Sequence, residues 1–357
     1  MKFFYSFLSA TFVTVGSVIG AGFISGRELV AFFGTESFLP KIILSFVLLS
    51  LFFAFLFYEG RKYGGLSPMN RALLNFHGVF NAAILVASFI SVSGMLAALD
   101  VLAPFFGIKQ GLPIMSLTLI TIVCFTSRYG IRGVEKFSVA IVPVIIIIAL
   151  SVVLKSGKCD YSTGKTTFTD LIFKTLLYVF MNCFINIPAI ADVAAGKGKK
   201  TLVFSAVFSA AILSLLAAVI LSFIKSAKTE DEAMPFYLAA GGGTFKVFTV
   251  ALFLSIASSV VSAFYPLYNA ADKKCGKAGV IIMAAAVFGF SRLGLKNIID
   301  GAYPVIGVFG AAYIAIVLFK EIKAAKKERS ADKKSLKPCG KRGKGKTGIK
   351  IFVLEII

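Results

Sequence analysis

Two short stretches of this chain carry residue types that could hold a small solute or an ion. The first reads Thr14–Val15–Gly16–Ser17–Val18–Ile19–Gly20–Ala21–Gly22–Phe23–Ile24–Ser25–Gly26, with four glycines between Gly16 and Gly26. Each glycine costs a helix about 1 kcal/mol relative to alanine, so the cluster marks a place for a helix to unwind. The second reads Phe180–Met181–Asn182–Cys183–Phe184–Ile185–Asn186–Ile187–Pro188. Pro188 removes one helix hydrogen bond and crowds the turn before it. Asn182 and Asn186 place two polar amides one helical turn apart in an apolar run. At a broken helix, N–H groups at the positive end of a half-helix can bind a carboxylate or another anion. The freed carbonyls can coordinate Na⁺ or an ammonium group. A plainer reading stands beside this one. Gly16-x-x-x-Gly20 also has the spacing that lets two helices pack closely, and Pro188 also fits an ordinary kink.

The elements that must position these residues are membrane helices. Of 357 residues, 58% are hydrophobic and 15% charged, against roughly 25% charged in a soluble domain. The apolar residues fall in blocks long enough to cross a hydrocarbon core of about 30 Å as helices. In lipid a helix satisfies its backbone polar groups within its own segment. A β-barrel would need strands alternating apolar and polar, and Val142–Pro143–Val144–Ile145–Ile146–Ile147–Ile148–Ala149–Leu150 does not alternate. Ten spans are predicted: Phe3–Phe33, Phe38–Tyr58, Phe80–Phe106, Leu112–Thr126, Phe137–Leu154, Asp170–Val193, Leu202–Phe223, Phe245–Leu267, Ala278–Phe290 and Ile298–Phe319. A transporter domain would then fill residues 1–320, and 321–357 would form a basic, disordered cytoplasmic tail.

The formal net charge of +21 does not point to a specific nucleic-acid partner, because thirteen of the 38 Lys and Arg lie between Lys320 and Lys350. Such a tail suits the anionic lipids of an inner leaflet. With both termini cytoplasmic, thirteen further basic residues fall inside and ten outside, an orientation in keeping with the positive-inside rule. The expected location is a plasma (inner) membrane, crossed many times. No cleavable signal peptide is evident at the N-terminus. The inventory of one histidine, His77, and five scattered cysteines offers no zinc site or catalytic triad, so no enzyme activity and no cofactor are expected. Gly340–Lys341–Arg342–Gly343–Lys344–Gly345–Lys346–Thr347 matches a phosphate-binding loop in spelling only. It follows a lysine-rich stretch and not a buried strand.

Ten spans divide five and five, with the interrupted ones first in each half (about 1–155 and 168–320). Paired interruptions at matching positions point to an inverted-repeat transporter with its site near the bilayer midplane. The expected architecture is therefore an all-α polytopic protein, a 5+5 inverted repeat with broken first and sixth helices.

Gly16–Ser17–Val18–Ile19–Gly20–Ala21–Gly22–Phe23, followed by Ser25–Gly26–Arg27–Glu28–Leu29 and Phe32–Phe33, resembles the amino acid–polyamine–organocation superfamily, which has the LeuT-type fold. Within it the motif is most similar to the YkvI-like amino acid permeases. The resemblance implies a substrate site at Ser17, Gly20, Ala21 and Gly22 with Asn182 and Asn186. It also implies a sodium site formed by the carbonyls of Gly16 and Ile19 and the hydroxyls of Ser258 and Ser259. Ser255, Ser258, Ser259 and Ser262 share one helical face and offer the hard oxygens Na⁺ prefers. Serines in such a row equally bond their own helix carbonyls or neighbouring helices. Span 5 carries no lysine of the kind that replaces sodium in proton-coupled relatives, which leaves Na⁺ the first choice of coupling ion and H⁺ the second.

Glu28 lies twelve residues past Gly16, about 18 Å along a continuous helix, and so is expected near the outer interface. Arg27 or Glu28 with Asp300 or Arg292 is expected to form an outer gate. Asp170 and Lys174 form an i,i+4 pair. The expected function is cation-coupled symport of amino acids or related small polar organic solutes by alternating access. A non-transporting nutrient sensor on the same fold and a channel are the alternatives.

Overall fold

The computed structural model describes residues 2–74, 77–103, 113–156, 159–161, 164–232, 234–240 and 245–335. Among them every regular element is helical. In chain order these are α1 (Lys2–Val18), α2 (Ala21–Ile24), α3 (Arg27–Phe33), α4 (Phe38–Tyr63), α5 (Leu66–Leu73), α6 (His77–Leu102), α7 (Ile114–Ser127), α8 (Gly130–Ser156), α9 (Phe168–Ala194), α10 (Lys199–Ala227), α11 (Pro235–Ala239), α12 (Phe245–Phe290) and α13 (Leu295–Ser335).

Among the described residues seven helices are long and apolar enough to cross a membrane, and Phe3–Val18 and Ile114–Ser127 are shorter apolar helices. The chain is thus a multi-pass membrane protein. Large apolar side chains such as Ile43, Ile147, Phe173, Phe204 and Ile281 stand exposed on the bundle surface, where a bilayer would cover them. α12 spans 46 residues, about 69 Å if straight, more than twice a bilayer core. It is divided by Gly276, whose backbone is non-helical (φ 59°, ψ −152°).

The centre of the bundle is built from α1, α9 and α12. α1 packs against α8, α9, α10 and α12, while α9 is also braced by α4 and α13. Small residues make the tight crossings possible. The Gly60 Cα on α4 lies against the Ala191 backbone of α9, and Gly310 on α13 lies against the Phe180 backbone of α9.

One expectation fails here. α9 runs unbroken from Phe168 to Ala194 with Pro188 inside it, so the sixth span is not interrupted. Proline costs one hydrogen bond, which tight burial among neighbouring helices tolerates. Pro188 and all residues from Met181 to Ala191 are buried. The described part of the basic tail, residues 321–335, continues α13 as helix to Ser335. Alanine, lysine and glutamate are good helix formers, and Glu321 is anchored to α4 by Lys62 Nζ at 2.6 Å and Tyr63 Oη at 2.7 Å. The tail beyond Ser335, including Gly340–Thr347, lies outside the described residues.

Candidate functional site

The first span is broken where its glycines cluster. α1 ends at Val18, and Gly20 is extended (φ −88°, ψ −172°) before the four residues of α2. Gly26 adopts φ 83°, a left-handed conformation that sets the direction of α3. The Gly20 amide donates to the Val18 carbonyl at 2.7 Å and not four residues back, to Gly16. The released Gly16 carbonyl accepts instead from Ser259 Oγ of α12 at 2.8 Å. Gly16 also permits a close approach: a Cβ there would lie 2.6 Å from Ser258 Oγ and 2.6 Å from Val142 Cγ2.

Beside the break lies a narrow cavity at the heart of the bundle. Ser17, Gly20 and Gly22 face Asn182 and Asn186 across it, so five of the six residues expected to bind substrate converge. Ala21 is buried in α2 and does not line the cavity. The two amides are held by their own helix. Asn182 Nδ2 donates to Tyr178 O at 3.2 Å, and Asn186 Nδ2 donates to Asn182 O at 2.8 Å. Ser17 Oγ likewise donates to Thr14 O at 2.9 Å.

Glu28 is not at an exposed interface. Its carboxylate lines the same cavity, is 4% exposed, and accepts from Asn182 Nδ2 at 3.3 Å. The expected distance of 18 Å assumed a straight helix. The unwinding at Gly20 and the turn at Gly26 shorten the path and point Glu28 inward. Ser91 and Met95 of α6, Met181 and Ile185 of α9, and Tyr303 of α13 complete the wall. No sequence signal singled them out, because each is an ordinary residue of an apolar span until packing brings it to the break.

The serine row sits where a small cation could be held. Ser255, Ser258, Ser259 and Ser262 are all buried. Ser255 and Ser262 donate to carbonyls of their own helix, Leu252 O at 3.2 Å and Ser258 O at 3.1 Å. Ser259 reaches across to Gly16. Ser258 Oγ and Ser138 Oγ of α8, both close to Gly16, are buried without a hydrogen-bond partner. Orphaned hydroxyls are costly in a dry interior. Both lie close to Gly16, whose carbonyl the break releases, and hydroxyl and carbonyl oxygens are the kind of ligand a hard cation takes. Ile19, the fourth expected ligand, is buried at the break.

Ion pairs and hydrogen bonds tie both ends of the bundle. At one end Arg27 Nη2 meets Asp300 Oδ2 at 2.7 Å, joining α3 to α13. Arg292 takes no part in this pair and bonds Asp100 at 3.0 Å. Asp170 pairs with Lys174 at 3.0 Å and also with Lys41 at 2.7 Å. The buried Lys41 ammonium donates to Phe33 O at 3.0 Å, capping α3. The Phe236 amide of α11 donates to Ser25 O at 2.8 Å, directly over the break. At the other end Asp192 accepts from the Leu66 amide at 2.8 Å and from Tyr265 Oη at 2.9 Å, so one side chain joins α5, α9 and α12. Lys197 bridges Glu135 at 2.6 Å and Ser9 Oγ at 3.0 Å.

No protein-family model matches the sequence, and neither does any curated protein. Solved structures of similar fold do. A manganese transporter from Eremococcus coleocola, in complex with an aromatic bis-isothiourea substituted compound, matches with TM-score 0.60 at 14% identity. The match covers 88% of this chain and 78% of that one. Two mutant forms of the same transporter match with TM-score 0.54, at 14% and 13% identity. At this identity the likeness is one of fold: this chain has the fold of a membrane transporter.

Proposed function

We propose that this chain is a secondary active transporter of amino acids or related small polar organic solutes, a cation-coupled symporter working by alternating access. The observation that carries the reading is the convergence of an unwound first span with Asn182, Asn186 and Glu28 on one cavity. In this reading the chain crosses a plasma membrane ten times as a LeuT-type 5+5 inverted repeat. α1–α3 form the first span, and α12 supplies two spans by folding at Gly276. Both termini face the cytoplasm, so Arg27–Asp300 is the outer gate, and the basic tail lies along anionic lipid. The coupling ion is Na⁺, held by the carbonyls of Gly16 and Ile19 with Ser258 and Ser259. No part of the chain is assigned to catalysis.

A manganese cargo, suggested by the neighbours' description, has less support. Among the described residues no three His, Cys, Asp or Glu side chains come together, and the cavity offers one carboxylate. The test is uptake into proteoliposomes of a labelled solute panel, with Na⁺ or K⁺ outside. Saturable uptake that needs the Na⁺ gradient supports the reading. Replacing Ser258 and Ser259 together by alanine is expected to remove the sodium dependence. Binding without uptake would make the protein a sensor, and flux that does not saturate would make it a channel.

A further inference from the structure

The charge inside the cavity is one-sided. Its wall includes the Glu28 carboxylate and no lysine, arginine or histidine. Arg27, adjacent in sequence, is turned away to Asp300 at 2.7 Å. No basic side chain among the described residues pairs with Glu28. Its partner is Asn182 Nδ2 at 3.3 Å, a long contact that the same amide shares with Tyr178 O at 3.2 Å. A carboxylate buried in a membrane bundle normally pairs with a cation, lines a pathway or takes up a proton.

The provisions for a substrate carboxylate are poor by comparison. α2, the half-helix that starts at the break, has four residues, too few to sum much of a dipole at its N-terminus. α9 runs through without a second break. An anionic group would also face Glu28 directly.

We propose that Glu28 is the counter-ion of a substrate ammonium, and that the site selects primary amines over zwitterionic amino acids and over carboxylates. The amine nitrogen donates to Glu28 and to the oxygen atoms around it. The alkyl part lies against Met95, Met181 and Ile185. A divalent metal fits less well, since one carboxylate leaves it a net positive charge in a dry cavity. The inference rests on the transporter reading for the identity of the cavity as the binding site, and it narrows the solutes of that reading from amino acids and related compounds to amines.

The test uses the full-length purified protein and compounds chosen so that chain length and charged group are varied separately. Thermal stabilisation is measured against a series of primary amines from ethylamine to hexylamine, against norvaline, and against valerate and manganese chloride. Norvaline is butylamine with an added carboxylate, and valerate is norvaline without its amine. At least one amine is expected to stabilise the protein, with butylamine binding at least tenfold more tightly than norvaline. Breaking a buried charge pair from one side weakens binding by about 100-fold or more, so Glu28→Gln is expected to raise the apparent Kd for the best amine by that factor. The ligand-free Glu28→Gln protein is expected to melt higher than the native one, because an unpaired buried charge has been removed. A merely structural Glu28 would give the opposite shift.

Norvaline binding as tightly as butylamine, amine binding unchanged in Glu28→Gln, no stabilisation by any amine, or stabilisation by manganese that Glu28→Gln removes would each overturn the proposal. Should Glu28→Gln not fold, labelling of native Glu28 by a hydrophobic carbodiimide, read by mass spectrometry, decides the matter. Butylamine is expected to protect Glu28, and equal labelling with and without it refutes the pairing. The two readings fail separately. Uptake of a non-amine solute with no amine binding removes this inference and leaves the transporter, whereas amine binding without uptake does the reverse.

Discussion

Replacing Gly16 by alanine tests the close packing of the break in a way that depends on two specific neighbours. The added Cβ would fall 2.6 Å from Val142 Cγ2 and 2.6 Å from Ser258 Oγ. Carbon atoms in contact sit about 3.5–4.0 Å apart, so Val142 must retreat by about 1 Å. The Ser258 hydroxyl can rotate away, but valine on a helix has one strongly preferred rotamer, and Val142 is fully buried. Relief must therefore come from a shift of α8 against α1. Overpacking of this kind costs about 1–3 kcal/mol. Replacing a helical glycine returns about 1 kcal/mol, so the net loss is up to about 2 kcal/mol. The control is Val142→Ala. Alone it destabilises by opening a void, but together with Gly16→Ala the two should fit each other. The double variant is expected to be more stable than the sum of the single changes by about 1–2 kcal/mol. Unfolding of the purified protein in detergent, followed by denaturant titration of all four forms, gives the coupling. Strictly additive effects would mean that α1 and α8 are not in the contact described, and the ion site built on that contact would fall with it.

Three further predictions concern the ends of the bundle and the turn at Gly26. Arg27 and Asp300 are 14% and 38% exposed, so losing the pair should cost stability by no more than about 1 kcal/mol. Arg27→Ala is nevertheless expected to increase labelling of a cysteine placed at Ser17, and Arg27→Asp with Asp300→Arg to reverse the increase; unchanged labelling in all forms would remove the gate. Asp192→Ala strands the Leu66 amide and the Tyr265 hydroxyl, about 1–3 kcal/mol for each buried group left unpaired. A matching drop in thermal unfolding midpoint, larger than that of Asp192→Asn, is the expected result. Gly26→Ala must hold φ 83° and its Cβ would strike Ile224. A loss of about 1–2 kcal/mol is expected from the backbone alone, with the Ile224 contact adding to it, and a neutral effect would contradict the left-handed turn.

The first break was legible because it rests on local chemistry: four glycines in eleven residues weaken a helix wherever the chain is placed. Asn182 and Asn186 stood out as two amides one helical turn apart in an apolar run and through the resemblance, and not through a second break, which α9 lacks. Pro188 misled, because what a proline does inside a bundle depends on how well its neighbours hold the helix together, and sequence does not show that. Glu28 misled for a related reason. Counting residues converts to distance only along an uninterrupted helix, and the interruption at Gly20 was itself part of the prediction. Tyr303, Ser91 and Met95 were out of reach, since their place at the cavity is set by how α6 and α13 pack against α1 and α9. Lys41 was equally out of reach: it is 2% exposed and caps α3 because of how α4 packs beside α3.

The hydrogen bond from Ser259 to the Gly16 carbonyl has a quantitative consequence for any cation that binds there. The carbonyl is already engaged at 2.8 Å, so an incoming ion must first turn that hydroxyl aside. A bond of this kind contributes about 0.5–1.5 kcal/mol net, equivalent to a two- to tenfold weakening of the ion's apparent affinity. In the proposed ion site the Ser259 oxygen would stay as a ligand while its hydrogen turned away from the carbonyl, and this cost would raise the concentration at which the ion registers. The same bond gives a partner to the carbonyl that the unwinding at Gly20 releases. Ser259→Ala on its own would accordingly lower that threshold if the Ser258 hydroxyl and the carbonyls suffice as ligands, and raise it if the Ser259 oxygen is needed in the shell.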